Sequence, residues 1–405
     1  MRRRVFLSVA TVGLVGCLQR DEADRSGDQN RNTTTESSAI DAWTDAEPVD
    51  ENHPFVHGDP FDDFDDLSSW SVLAGTLEQS ESGVRLAARP TDERVLIGRS
   101  LSDPLDCSSV VPGLTLSAAD SIVPRIQLID DVGNRADFRR GIKSNRGPVR
   151  YSFGLVSVSG PVDLSTITEL RIALWVGDRS RTMRIGELFF TPRSSPGTVM
   201  IQFDDGYATD YTEAFPLLDQ YGYEATSFVN PITIGSDDRL TLDQCSQLAD
   251  TGWTIGNHTH AHRRLEDLSA DEQTAEIVGA REWLVDHGFE DGARYFAYPF
   301  GQWDEHTLEI VGEHHELAFW SGMGINGVPA NPLLCTRVGE PTAETAIGLL
   351  DNAARWGGHV GLLYHELAGQ QRADFRQTIE HLHQLESAGR LEVVTPPDLA
   401  ERVRV

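Results

Sequence analysis

Thr198-Val199-Met200-Ile201-Gln202-Phe203-Asp204-Asp205-Gly206 joins an apolar run to two adjacent carboxylates and a turn glycine. Taken alone, Asp-Asp-Gly is more often a surface loop, so its weight depends on what surrounds it. The same apolar pattern recurs downstream at Ala225 to Val229, Trp253 to Gly256, Tyr295 to Tyr298, Leu317 to Trp320, Val360 to Tyr364 and Leu391 to Val394. Amphipathic stretches such as Ala270 to His287 and Ala373 to Ala388 lie between them. About seven β/α units predict an α/β fold, a distorted (β/α)7-type barrel over residues 198–405, with its chemistry at the C-terminal ends of the strands.

Upstream the period changes. Residues 55–193 show short alternating runs such as Gly83 to Ala87, Arg125 to Ile129, Glu169 to Trp175 and Met183 to Phe190. Alternation of period 2 predicts an all-β, antiparallel sandwich. The opening Phe61-Asp62-Asp63-Phe64 with Trp70, and the closing Ile185 to Thr191 strand, resemble galactose-binding-type jelly rolls that often accompany carbohydrate enzymes. Trp70 or Trp175 has the chemistry to stack on a sugar ring, but a lone Trp in a sandwich is more often core. No ligand site is assigned there. Arg193-Ser194-Ser195-Pro196-Gly197 is a polar linker.

The first 54 residues read as address and tether. Arg2, Arg3 and Arg4 precede an apolar run too short to span a bilayer, ending in Leu14-Val15-Gly16-Cys17. Residues 1–17 resemble a lipoprotein leader with a twin-arginine pattern, which implies a lipid on Cys17 and an extracellular, membrane-anchored protein. Residues 18–54 are acidic and nearly free of large apolar side chains, as a disordered tether would be. Asn32-Thr33-Thr34 is a sequon in exposed chain. With Cys17 lipidated, Cys107, Cys245 and Cys335 remain, an odd number that gives no disulfide framework; a Cys245–Cys335 bridge stays open.

The 405 residues carry a net charge of −29, which argues against nucleic acid as a partner. Thirty-three Arg stand against one Lys, Lys143, and this acidic, lysine-poor composition resembles that of proteins from salt-loving organisms, where screening shrinks to roughly 3 Å at 1 M. The charge reports habitat rather than partner.

Strand ends hold the remaining information. Asn257-His258-Thr259-His260-Ala261-His262 places two imidazoles at i,i+4, read as one helical turn apart on one face. Two imidazoles and one carboxylate satisfy a catalytic metal that keeps open positions for water. With Pro299-Phe300-Gly301 and Leu363-Tyr364-His365 the set resembles the polysaccharide deacetylases, also called the NodB-homology or carbohydrate esterase four family. The resemblance implies Asp204 as general base, Asp205, His258 and His262 as ligands of a divalent metal, and His365 as general acid. The metal it implies is zinc, with cobalt, nickel or manganese as alternatives. It further implies the backbone N–H of Phe300 as oxyanion donor and a loop-shaping hydroxyl at Thr259, and leaves His260 without a role. A glycan at Asn257 would block such a site, so that sequon is dismissed.

Two departures stand out. Many members carry an arginine two residues before the motif proline, where this chain has Ala297; Arg337 is the candidate replacement, with a surface ion pair as the alternative. An Asp-Trp motif is also absent after the fifth strand, where Phe319-Trp320-Ser321-Gly322 is the candidate aromatic wall. The implied partner is an acetylated polysaccharide and the implied state a monomer. O-acetyl ester hydrolysis on a xylan-type glycan, and glycan binding without turnover, are the competing readings.

Overall fold

The computed structural model describes residues 60–80 and 83–403; the leader (1–17), the tether (18–54) and Asn32 lie outside the described residues. Twelve described strands come first: β1 (Pro60–Asp62), β2 (Trp70–Ala74), β3 (Thr76–Ser80), β4 (Gly83–Ala88), β5 (Arg94–Leu105), β6 (Val110–Ala118), β7 (Pro124–Asp130), β8 (Arg135–Arg139), β9 (Asn145–Ser152), β10 (Gly154–Ser159), β11 (Ile167–Trp175) and β12 (Arg181–Pro192). They pair antiparallel in two six-stranded sheets. One runs β3-β4-β12-β6-β9 with β1 on β12, the other β10-β8-β7-β11-β5-β2. Alternation decides which face is covered: on β11, Leu170, Ile172 and Leu174 are buried while Arg171, Ala173 and Trp175 face outward. Trp70 is core, packed on Phe64 at 5.2 Å. Trp175 is not, at 62% exposed, because it falls on the outward phase of its strand.

Seven parallel strands then close a ring: β13 (Gly197–Asp204), β14 (Thr226–Val229), β15 (Thr254–Asn257), β16 (Tyr295–Ala297), β17 (Leu317–Ser321), β18 (Cys335–Gly339) and β19 (His359–Tyr364), with β13 pairing both β19 and β14. Their helices are α1 (Phe215–Asp219), α2 (Leu242–Asp250), α3 (Ala270–Asp286), α4 (Glu305–His314), α5 (Ala343–Trp356) and α6 (Gly369–Ser387). The membership of the ring differs from expectation. Leu391–Val393 (β20) pairs with β13 alone and stands outside the ring, and the seventh place belongs to β18, which holds Arg337. The physical reason is the β17–β18 connection. Residues 322–334 form no α-helix and lie against β9 and β10: Leu155 and Ile325 exchange backbone hydrogen bonds of 2.7 and 3.0 Å, and Ala330 N–H donates to Ser152 Oγ at 2.9 Å. Without a helix in front of it, β18 gives no β/α signal.

Alternate residues of the ring strands, among them Met200, Phe228, Tyr295, Leu317, Phe319 and Cys335, form a second apolar cluster with Leu399, Ala400 and Val403 of α7 (Pro396–Val403). This interior column stands apart from the main core and supports the polar layer above it. Arg140 ties the N-terminal sheets to that layer. Its buried guanidinium donates to Leu334 O at 3.0 Å and lies 4.8 Å from the Trp320 ring centroid. Burial draws it down to about 10. Cys107, Cys245 and Cys335 are all buried free thiols, so the Cys245–Cys335 bridge does not form. Burial pushes each up to about 12, which leaves them unreactive at neutral pH.

Candidate functional site

Successive strand residues face opposite ways, so Asp204 and Asp205 should diverge. They do not, because Asp205 leaves the strand with φ 71° and Gly206 follows at φ 59°. The kink brings Asp204 Oδ2 and Asp205 Oδ1 to 3.7 and 3.5 Å from His258 Nε2. Asp205 Oδ1 is also 3.3 Å from His262 Nε2.

The two histidines do not share a helical turn. Residues 258–264 form an irregular loop in which Thr259 (φ 65°) and His262 (φ 53°) are left-handed. Local hydrogen bonds hold it: Asn257 Oδ1 accepts from Thr259 N–H at 2.8 Å, and Thr259 Oγ1 accepts from His262 N–H at 3.1 Å. Asn230 Nδ2 caps the loop by donating to the carbonyls of His258 and Thr259. Asn257 is fully buried, its amide donating to Ile277 O at 2.9 Å, so it is sterically closed to a glycan.

His258 has a fixed tautomer. Its Nδ1 lies 2.8 Å from Ala297 O, and a carbonyl only accepts, so Nδ1 carries the hydrogen and Nε2 presents a lone pair. Burial, against the opposing pull of Asp204, pushes His258 down to about 4, and burial also lowers His262. Both are neutral donors near pH 7. One ligand atom each from Asp205, His258 and His262 lies within 4.8 Å of the others, and Asp205 Oδ1 is buried with no hydrogen-bond partner. A buried carboxylate oxygen facing two imidazole nitrogens is a donor set that fits a divalent cation.

Arg337 is only 4% exposed and is not a surface ion pair. It reaches across the ring interior to grip Asp204 with both amino groups, at 2.8 and 2.6 Å, while Gln202 Oε1 lies 3.5 Å away. Burial alone would raise Asp204; Arg337, aided by His258 and His365, holds it below the usual carboxylate range. His365 follows β19, and Glu340, just past β18, accepts from both its N–H at 2.8 Å and its Nδ1 at 2.7 Å. That hydrogen bond and the charges of Asp204, Glu340 and Asp205 raise the imidazole against the opposing effect of burial. Glu340 was not a sequence candidate, since its only signal is a carboxylate three residues after Arg337.

Phe300 sits in the Pro299–Gly301 turn with φ 57°, its side chain 45% exposed, its ring 4.4 Å from that of His262 and 4.3 Å from the Arg264 guanidinium carbon. Gly301 follows at φ 60°, where a Cβ would meet Ser321 Oγ at 2.9 Å. Trp320, the expected wall, is instead 6% exposed and donates from Nε1 to Gly301 O at 2.6 Å; it supports the turn while Phe300 presents the open ring. Asp210 also went unread. It is fully buried behind the pair of carboxylates, accepts from Ser227 Oγ at 2.6 Å, and is held well above the usual range by burial and by Asp204 and Asp205.

A ring of parallel strands with carboxylates and imidazoles gathered at its C-terminal rim is the class of structure in hand. Residues 191–316 match the family model for polysaccharide deacetylase, taking in Asp204-Asp205, the histidine loop and Pro299-Phe300-Gly301 but not Arg337, Glu340 or His365. YxkH of Bacillus subtilis strain 168, which bears a polysaccharide deacetylase name, is 33% identical over 137 residues, 33% of this chain and 49% of that protein. A poly-beta-1,6-N-acetyl-D-glucosamine N-deacetylase of Staphylococcus aureus is 28% identical over 127 residues, 28% of this chain and 44% of that protein. The chain thus spans about half the length of the curated relatives it matches. A family 4 carbohydrate esterase from Streptomyces lividans, solved with acetate, aligns at TM-score 0.38 and 16% identity over 50% of this chain and 94% of that one.

Two outcomes are expected. The purified protein should hold about one divalent ion per chain, and His258→Ala should lose it; full metal content in that variant, by elemental analysis, would remove His258 from the ligand set. Asp210 has a folded pKa above its unfolded one, so its contribution favours folding below the unfolded value near 3.9 and is lost as pH rises, by up to about 1.4 kcal/mol per pH unit. Asp210→Asn should therefore raise the melting temperature at pH 8 and change little at pH 4. An equal shift at both pH values would contradict a buried neutral carboxyl.

Proposed function

We propose that the protein is a metal-dependent hydrolase that removes N-linked acetyl groups from a polysaccharide outside the cell, tethered through a lipid on Cys17 and preceded by a jelly-roll sandwich. The reading rests on one observation: a gripped carboxylate, a three-donor cluster and a carboxylate-backed imidazole share one rim. The Staphylococcus aureus relative, named for N-deacetylation of an N-acetylglucosamine polymer, supports the choice of amide over ester.

Asp205, His258 and His262 would hold the cation, zinc in this reading, which when bound would polarise the acetyl carbonyl and make a water more acidic. Asp204 takes the proton from the attacking water. Arg337 keeps that carboxylate ionised and fixes its direction, at some expense of basicity. The backbone N–H of Phe300 donates to the developing oxyanion. His365 gives its proton to the departing nitrogen, which leaves poorly as an anion, and Glu340 keeps the imidazole charged and oriented.

Acetate release from N-acetylated glucosamine oligomers should stop on chelation and return on adding metal, and Asp204→Asn should lower it by roughly 10²–10⁴-fold with metal retained. Release from acetylated xylan alone would move the reading to ester hydrolysis, and a drop under about tenfold in the variant would place the base elsewhere. Glu340→Gln removes a charge that raises His365. The alkaline limb of the kcat profile should move to lower pH while the plateau persists; an unmoved limb would mean that Glu340 only braces the backbone.

A further inference from the structure

The outward face of the β10-β8-β7-β11-β5-β2 sheet carries a feature the rim chemistry does not use. Register stacks its side chains in rows: Arg139, Arg125, Ala173 and Leu96 lie side by side across four strands, and Trp175 lies opposite Arg94. Outward residues of these strands line a groove of about 630 Å³. Five arginines, Arg94, Arg125, Arg135, Arg139 and Arg171, are among its ten lining residues and no carboxylate is. In a chain with net charge −29 that is a local reversal of sign.

The neighbouring acids do not cancel it. Asp137, on the same strand face as Arg135 and Arg139 but only 4% exposed, lies 2.9 Å from Arg135 and 3.5 Å from Arg125 and also accepts from Gln127 at 2.7 Å, so one carboxylate is shared among three neighbours. Glu169 takes both hydrogen bonds of Arg171, at 2.7 and 2.9 Å. Among the described residues, Arg94 and Arg139 have no acidic partner within ion-pair distance, and Arg139 Nε is buried without a hydrogen bond. Burial, then the like charge of Arg139, draws Arg125 below its ordinary range. Guanidiniums held this close together want a counter-anion, and their planar forks suit carboxylate or sulfate. At one end of the row, Trp175 presents an exposed indole on which a pyranose face can stack.

We infer that this groove binds an anionic polysaccharide, one bearing uronate carboxylates or sulfates, with Trp175 as the ring platform and the arginine row as the anion clamp. A sugar chain fits better than a lipid surface because the site is concave and its aromatic lines the same groove as the arginines rather than standing on a protruding apolar tip. The inference does not rest on the hydrolase reading, because binding is measured without turnover.

Calorimetric titration of the full chain with oligogalacturonate and with dextran sulfate tests it. At least one should bind with an affinity that falls as salt rises, whereas neutral chitohexaose should not bind at the groove. Arg94→Gln with Arg139→Gln, and separately Trp175→Ala, should each weaken binding roughly tenfold or more, with any hydrolysis of short neutral substrates unchanged. Trp175→Ala alters an exposed side chain and keeps the test valid should the arginine pair prove to fold poorly. Absence of binding to both polyanions, unchanged polyanion affinity in Trp175→Ala, chitohexaose binding that falls equally in Trp175→Ala, or preference for phosphatidylglycerol vesicles over both polyanions would each overturn the inference.

Discussion

The bidentate contact between Arg337 and Asp204 is the constraint to which the rest of the site answers. Both side chains are at most 4% exposed, so each charge has given up its water and depends on the other. Their strands, β18 and β13, are not neighbours; β19 lies between them, and the contact crosses the ring interior. Loss of either partner would strand a buried charge, at about 3–5 kcal/mol. Ring closure and the aim of the carboxylate are therefore one condition. The apolar column below, floored by α7, keeps water from competing for the pair from that side.

Backbone strain is concentrated where that carboxylate points. Seven described non-glycine residues have left-handed φ, and five of them, Asp205, Thr259, His262, Phe300 and Glu340, lie on the rim. Such residues cost about 1–3 kcal/mol each and persist only where the surroundings over-determine them. Here the surroundings are visible: Asn257 and Thr259 for the histidine loop, Trp320 for the Phe300 turn, and the His365 hydrogen bonds for Glu340. The strain converts strand ends, which would send side chains to alternate faces, into a converging set.

Legibility followed period and residue type. Six of the seven ring strands were readable because Val199 to Phe203 and its counterparts are short apolar runs, and Asp204, Asp205, His258 and His262 because their chemistry is rare at such ends. Hidden were features set by tertiary contact. Strand β18 has a docked loop in place of a preceding helix, and its Cys-Thr-Arg-Val-Gly looks like coil. The spacing of His258 and His262 suggested a helix, but two left-handed residues give the same proximity by another path. Trp320 was misread because aromatic type alone does not tell a supporting ring from a presenting one. Glu340 and Asp210 are ordinary carboxylates until folding sets one on His365 and buries the other.

Arg140 gives the N-terminal sheets a stake in the rim. It directly follows β8, yet it donates to the Leu334 carbonyl and lies over Trp320, whose indole N–H holds the Gly301 carbonyl beside Phe300. A chain running Arg140, Trp320, Gly301, Phe300 thus leads from the N-terminal sheets to the rim of the ring. The two folds are consequently not interchangeable parts. A different N-terminal neighbour would have to supply both a cation for Trp320 and a seat for residues 322–334.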